Sequence, residues 1–457
     1  MRARDAFLFV LLLLVLLAAV RIAPPIATRG EAREGLVVRE LVVGGDWILP
    51  RRQGVIASKP PLYHWMAAGG VRLLGWSDSV VRLPSAFAAW GVALETFALG
   101  RLIAGRGVGW LAVGILFATW GFWRSALEAR VDMLFTACVA GAIASFAWWM
   151  LRDAARGRAL AWIAAAAGVL TKGPIGFVLP ALVALAALVS GREWRRVRAL
   201  WSWPAAAVAL LAVGGWYAAA VRAGGRAFVA VQVLKENVDR FAGRGDFAPS
   251  HAFAGILMVR YFLGHLAPWH LAIVDDLRRR RQGTGAASAA GRLLHCWWLV
   301  VLAVFSLAAG KRSTYLLPLY PAIALLAARA LWRAAPTPAG RTRIGAAVAA
   351  VALVMLVASY VDRVRDTARH GLVQLARDTA ALVPPGATLR ASTGLAESDV
   401  LVLAYLLDRP LMRERIGCQG TGALSYYLRP VQSGAVAMTL ERLASSGRVE
   451  LVRCPTS

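Results

Sequence analysis

Apolar runs separated by short charged segments recur along most of the chain. The first fills residues 1–20, MRARDAFLFVLLLLVLLAAV. Others occupy roughly 80–100, 107–124, 131–150, 159–172, 174–190, 202–221, 252–273, 294–309, 314–332 and 343–360. Most approach the roughly 20 residues that carry a helix across a bilayer. The pattern therefore predicts an all-α polytopic membrane protein with about eleven transmembrane helices, the run before Lys172 being the weakest. The basic start and apolar core of the first run fit a signal peptide or a first helix. No small-x-small cleavage site follows it, and the reading taken here is an uncleaved helix with a cytoplasmic amino terminus.

Two regions break the pattern. Residues of about 24–79 mix charged and amphipathic segments and are read as a loop outside the membrane. Within it, GEAREGLVVRELVVGG carries apolar Leu36, Val37, Leu41 and Val42 and ends in Gly44-Gly45, which predicts a short amphipathic helix on the interface, stopped by glycine. GDWILP then turns the chain. Trp47, Tyr63 and Trp65 suit the headgroup zone, and Lys59 before two prolines sits on extended backbone. After residue 360 the apolar runs shorten between Pro384, Pro385, Gly386, Gly394 and Pro410, so residues 361–457 are expected to form a small α/β domain behind a membrane domain of residues 1–360.

Composition agrees with the membrane reading. Of 457 residues, 59% are hydrophobic and 17% charged, with a mean hydropathy of +0.58, which excludes an ordinary soluble enzyme. A formal charge of +27 invites a nucleic-acid partner. The cations instead cluster in alternate loops: Arg101 and Arg106, Arg152 to Arg158, Arg192 to Arg198, Arg278 to Arg281, and Arg333 to Arg343. That is the positive-inside distribution, and no nucleic acid is expected. The four cysteines are too few for a disulfide framework. Cys138 and Cys296 lie in apolar runs, and Cys418 and Cys454 are placed to pair in an oxidising compartment. No H-E-x-x-H pair occurs among the six histidines, and no metal ligand is assigned.

The same alternation places Glu31, Glu34, Asp132 and Glu236 on the outer face together with Lys59, Arg130, Arg240, Lys311 and Arg312. Carboxylates at a membrane edge are costly unless paired or used, and the surplus of cations beside them suits an anionic ligand. Taken singly, each residue has a plainer reading. Glu31 and Glu34 complement the positive end of a helix, and Lys59 is a snorkelling lysine.

Taken in order, the segments E-A-R, G-D-W-I-x-P, K-P-P-L-Y-x-W and R-L-P-S at Arg82 to Ser85 resemble the bacterial ArnT-like and PMT-like GT-C glycosyltransferases. The resemblance continues through R-V-D-M at Arg130 to Met133, T-K-G-P at Thr171 to Pro174, R-F at Arg240, P-W at Pro268, and K-x-x-x-Y-x-L-P-x-x-P from Lys311 to Pro321. It implies a GT-C fold and transfer of a sugar from a polyprenyl-phosphate carrier to a lipid, protein or glycan acceptor at the periplasmic face of a bacterial inner membrane. The implied ligands of the lipid phosphate and donor are Lys59, Arg33, Arg240 and Tyr315, with Lys311 and Tyr63 beside them. The family's loop usually begins Asp-Glu, its aspartate being the expected base; this chain has Gly30-Glu31. Glu31 is therefore the first candidate for that role, with Asp132 and Glu34 to orient the acceptor.

Such a site needs an aligned acceptor, a carboxylate to take its proton, and cations to hold the departing phosphate. Attack opposite the leaving group inverts the anomeric centre. No cofactor is required, and a divalent metal stays open. Two alternatives stand: a transporter or flippase for a lipid-linked solute, for which repeated halves and midplane charges are missing, and a catalytically impaired family member, suggested by Gly30.

Overall fold

The computed structural model describes residues 2–245, 254–282, 288–368, 371–416, 425–431 and 440–454. Helix α1 (Ala3–Ile22) precedes a segment that holds α2 (Arg29–Gly44), the hairpin of β1 (Arg51–Arg52) and β2 (Val55–Ile56), and α3 (Leu62–Leu74). The bundle continues with α4 (Asp78–Ala104), α5 (Arg106–Phe117), α6 (Trp120–Ala126), α7 (Val131–Arg152), α8 (Ala155–Lys172), α9 (Ile175–Ser190), the short α10 (Trp194–Arg198) and α11 (Trp203–Phe228). A wide-turned π-helical segment, Val229–Asp239, and the brief α12 (Arg240–Ala242) follow, then α13 (Ala254–His265), α14 (Leu271–Arg281) and α15 (Ala289–Leu307). A 3-10 turn at Ser313–Leu319 leads into α16 (Tyr320–Ala334), and α17 (Pro338–Ala368) closes the bundle.

Among the described residues, seven helices are long and apolar enough to cross a membrane; α5 and α9 are apolar but shorter. The runs expected to span fall largely on helices among the described residues, but fewer of these helices are long enough to span than the eleven expected. Several are cut short for local reasons: α5 gives way at Ala118 and Thr119 before α6 resumes, and residues 266–270 separate α13 from α14.

Helix α2 starts where Thr28 accepts a hydrogen bond from the Glu31 amide (3.4 Å) and stops at Gly45, whose φ of 71° is left-handed. That is the glycine stop expected from the sequence. Its surroundings differ from expectation. Instead of resting on lipid, α2 is packed between α3 and the carboxy-terminal region, and Ala32, Gly35, Leu36, Val37, Val38 and Leu41 are all buried. A Cβ at Gly35 would stand 2.4 Å from the Tyr405 ring, so only glycine admits that contact.

The α8–α9 hairpin is fixed by an equally close approach. A Cβ on Gly176 would lie 2.1 Å from the Gly168 backbone, and Gly173 takes φ 90° in the turn between the helices. This brings Lys172 to the bundle end that carries α2.

Past α17 come α18 (Leu372–Leu382), β3 (Thr388–Ser392), α19 (Glu397–Leu406), β4 (Arg413–Glu414), β5 (Ser425–Pro430), β6 (Glu441–Ser445) and β7 (Val449–Arg453). The five carboxy-terminal strands form one sheet in the order β4-β3-β5-β7-β6, parallel about β3 and antiparallel about β7. Helix α17 runs eight residues beyond the expected end at 360, placing Arg363 on the helix and not in the sheet domain. Cys454 is disulfide-bonded; its expected partner, Cys418, lies outside the described residues. Helix α19 lies on α2, where the Tyr405 hydroxyl donates to Asp78 (2.6 Å) and Arg29 pairs with Glu397 (2.7 Å).

Candidate active site

Two groups of buried charges meet around α2. The first centres on Glu31, which is 1% exposed. Its carboxylate accepts from Arg82 through Nε (2.8 Å) and Nη2 (3.3 Å), from Arg363 Nη2 at both oxygens (3.2 Å each), and from the Ala129 amide (2.9 Å). Burial opposes the charge of Glu31, but the Arg363 and Arg82 guanidiniums and the Ala129 amide outweigh it and hold the carboxyl well below the usual carboxylate range. Arg82 itself is fully buried and also donates to the Pro24 carbonyl (2.9 Å). Glu31 thus ties α2 to α4, to the start of α7 and to α17.

The second group is richer in cations than in carboxylates. Lys59 Nζ and Arg240 Nη2 both donate to the same oxygen of Glu236, Oε2, at 2.6 and 2.8 Å. Burial pushes the Lys59 ammonium down, Glu236 pushes it back, and neighbouring Arg240 leaves it below its ordinary value. Asp132 accepts from Lys172 Nζ at 2.6 Å and pairs with Arg130 at 3.2 Å. The Lys172 ammonium also stands 4.8 Å from the centroid of the Tyr315 ring. Tyr315 lies within electrostatic reach of Lys172, Arg240, Arg312 and Lys59, and Arg312 within reach of Arg130, Arg33 and Arg240. Glu34 joins the edge of the group, accepting from Arg33 Nε (2.9 Å) and facing His64 Nε2 (2.8 Å).

Local structure explains how these residues meet. Gln232 on the π-helical segment donates to the Ala57 carbonyl (2.6 Å), which fixes the backbone two residues before Lys59. The Asn237 side chain fills the space beside Gly173, where a Cβ would lie 2.8 Å from its oxygen, and so seats that segment against the turn that carries Lys172.

Arg33, Lys59, Arg240, Tyr315, Asp132 and Glu34 therefore lie together as expected. Two other residues do not join them. Tyr63 is fully buried and its hydroxyl donates to the Val81 carbonyl (2.9 Å), which makes it a packing residue between α3 and α4 instead of a headgroup contact. The Lys311 ammonium is turned onto the carbonyls of Phe305 (3.1 Å), Ser306 (2.5 Å) and Ala308 and so caps the end of α15. Glu31 is in the site's wall, with its lone pairs already taken. Sequence reasoning placed Arg130 and Arg312 on this face without giving them a role, and passed over Lys172 and His64; the T-K-G-P segment carried the signal for Lys172. Gly30, where the family's aspartate is missing, faces Arg130: a Cβ there would sit 3.4 Å from the guanidinium. Among the described residues, no three His, Cys, Asp or Glu side chains converge as metal ligands would.

The fold is that of a polytopic helical membrane protein. The family described as dolichyl-phosphate-mannose-protein mannosyltransferase matches residues 58–217. The undecaprenyl phosphate-alpha-4-amino-4-deoxy-L-arabinose arabinosyl transferase of Pseudomonas aeruginosa is 31% identical over 331 residues, 70% of this chain and 57% of that protein. The transferase of the same name from Pectobacterium carotovorum is 28% identical over 69% of this chain and 56% of the relative. The chain thus spans little more than half the length of the curated relatives it matches. ArnT from Cupriavidus metallidurans, solved with undecaprenyl phosphate, shares the fold with a TM-score of 0.83 at 18% identity, covering 100% of this chain and 99% of that one. The Archaeoglobus fulgidus oligosaccharyltransferase is more distant, at a TM-score of 0.58 and 10% identity, covering 90% of this chain and 65% of its own. The chain is thus similar in sequence to these transferases over part of their length and shares the fold of ArnT.

Proposed function

We propose that this protein is a membrane glycosyltransferase that moves a sugar from a polyprenyl phosphate, of the undecaprenyl type, to a lipid, protein or glycan acceptor. The reaction takes place at the periplasmic face of the inner membrane, the side opposite the basic loops, with inversion at the anomeric carbon. The observation that carries this reading is the Lys59–Glu236–Arg240 arrangement: two cations converge on one carboxylate oxygen. A phosphate oxygen of the donor replaces that carboxylate oxygen between the same two cations, and Arg33, Arg312, Lys172 and Tyr315 take up the rest of its charge.

The proton acceptor is Asp132. It shares the Arg130 guanidinium with the position at Gly30, and it faces the cationic group beside Tyr315. Glu31 serves as a clamp and Glu34 orients Arg33. The region 361–457 acts as a cap through α19. No cofactor enters this scheme.

The test is transfer by the purified protein in lipid, supplied with polyprenyl-phosphate sugars and an envelope-lipid extract as acceptor. Sugar moves onto acceptor with wild type and not with Lys59→Ala. If every donor stays intact, or donor crosses the bilayer with its sugar still attached, the transport reading replaces this one.

A further inference from the structure

A groove of about 700 Å³ lies between α4, α7 and α8 at the bundle end opposite the cationic site. Its wall is apolar, formed by residues such as Ala98, Leu102, Ala144, Trp148 and Ile163. Two features do not belong to a plain lipid-facing crevice. Arg101 and Arg152, at the carboxy-terminal ends of α4 and α7, line its rim and are exposed, and neither guanidinium has a side-chain partner among the described residues. Deeper in the groove stands Glu95, whose Oε2 is shielded from solvent and has no hydrogen-bond partner. Gly141 makes the room for this carboxyl, since a Cβ there would lie 2.7 Å from Glu95 Oε1.

Rim arginines alone need no explanation beyond the positive-inside rule. An unpartnered carboxyl inside hydrocarbon does, because such a group is costly and usually marks a ligand. Glu95 is six residues from Arg101, about 9 Å along the helix at 1.5 Å per residue. A glycerophospholipid has its polar groups in this order, the anionic phosphate outermost and the ester carbonyls below it, followed by acyl chain.

We infer that this groove binds one anionic diacyl phospholipid, its phosphate held by Arg101 and Arg152 and an ester carbonyl accepting a hydrogen bond from the acid form of Glu95. A polyprenyl phosphate has no acyl-ester carbonyl to meet Glu95, so the assignment is to phospholipid and not to a second carrier lipid. The site is independent of the transfer reaction proposed above.

Native mass spectrometry of the detergent-purified full chain, titrated with phosphatidylglycerol or phosphatidylcholine, tests this, with a thermal melt of each variant as the folding control. Wild type retains phosphatidylglycerol about tenfold more strongly than phosphatidylcholine, in keeping with two interfacial arginines. Arg101→Gln with Arg152→Gln removes that preference, and neither exposed site threatens the fold. Glu95→Leu weakens retention of both lipids a few-fold, about one lost hydrogen bond, whereas Glu95→Gln, still a donor, keeps it. Equal binding of the two lipids by wild type, an unchanged preference in the double arginine variant, or retention unmoved by Glu95→Leu overturns the proposal. So does polyprenyl phosphate displacing phosphatidylglycerol from a Lys59→Ala background.

Discussion

Glu31 and Asp132 are both buried carboxylates at the same end of the bundle, yet their surroundings assign them different work. Glu31 is met by two guanidiniums and a backbone amide from three separate elements, and no oxygen is left to accept a further proton donor. Asp132 is held by Lys172 and Arg130, and those cations border a group in which positive charge exceeds negative. On the function proposed, a saturated carboxylate fastens helices, and a carboxylate among surplus cations is the one placed to meet an anionic substrate and its acceptor. The contrast teaches that the nearest residue in sequence to a missing base is not its best replacement in space.

The comparison breaks most visibly at Glu31. Glu31→Ala leaves Arg82 and Arg363 buried without a counter-charge, at a cost of about 3–5 kcal/mol, and thermal melting in detergent reports it as a large loss of stability. A variant that melts like wild type but has lost transfer would return Glu31 to the chemistry. Next in size, Lys59→Ala or Arg240→Ala removes a charge-assisted contact and weakens polyprenyl-phosphate binding by about tenfold to a hundredfold, measured by titration calorimetry or lipid competition. Glu236→Gln acts in the opposite direction. Without the carboxylate that occupies Lys59 and Arg240 in the free protein, donor lipid binds a few-fold more tightly, about the net worth of one such bond. The smallest effect is expected from Gly30→Asp, which fits beside Arg130 and changes the transfer rate by less than about tenfold if Asp132 already takes the proton. A gain far above that, in a steady-state assay, would identify position 30 as the proper seat of the base.

Much of the fold was legible in the chain. Apolar runs marked the helices, and Gly44-Gly45 marked the end of α2, because both signals are local: hydrophobic length and a left-handed cap act within a few residues. The family motifs brought Lys59, Arg33, Arg240, Tyr315 and Asp132 to one face. What stayed hidden depended on distant partners. The Glu31–Arg363 pair joins residues 332 apart in sequence, and no local pattern encodes it. Tyr63 read as an interfacial aromatic because its spacing suits one; only the Val81 carbonyl behind it shows a core residue. Lys172 marked only the end of the weakest apolar run, and the Gly168–Gly176 contact that folds its hairpin onto Asp132 is not written in that run. The amphipathic α2 likewise has the composition of a lipid-facing helix, and its real cover, α19, comes from the far end of the chain.

The division of labour between the two carboxylates rests on whether chemistry can be lost at Asp132 while binding and fold survive. Single-turnover transfer from a bound polyprenyl-phosphate sugar by Asp132→Asn, read beside its melting temperature and its affinity for the lipid phosphate, asks this directly. The expected result is a rate lowered by about a hundredfold or more, well beyond any loss of lipid binding, in a protein that melts lower than wild type because Lys172 and Arg130 lose a counter-charge but is still folded at the assay temperature. An unchanged rate, or a rate that falls only in proportion to lost binding, would contradict the assignment.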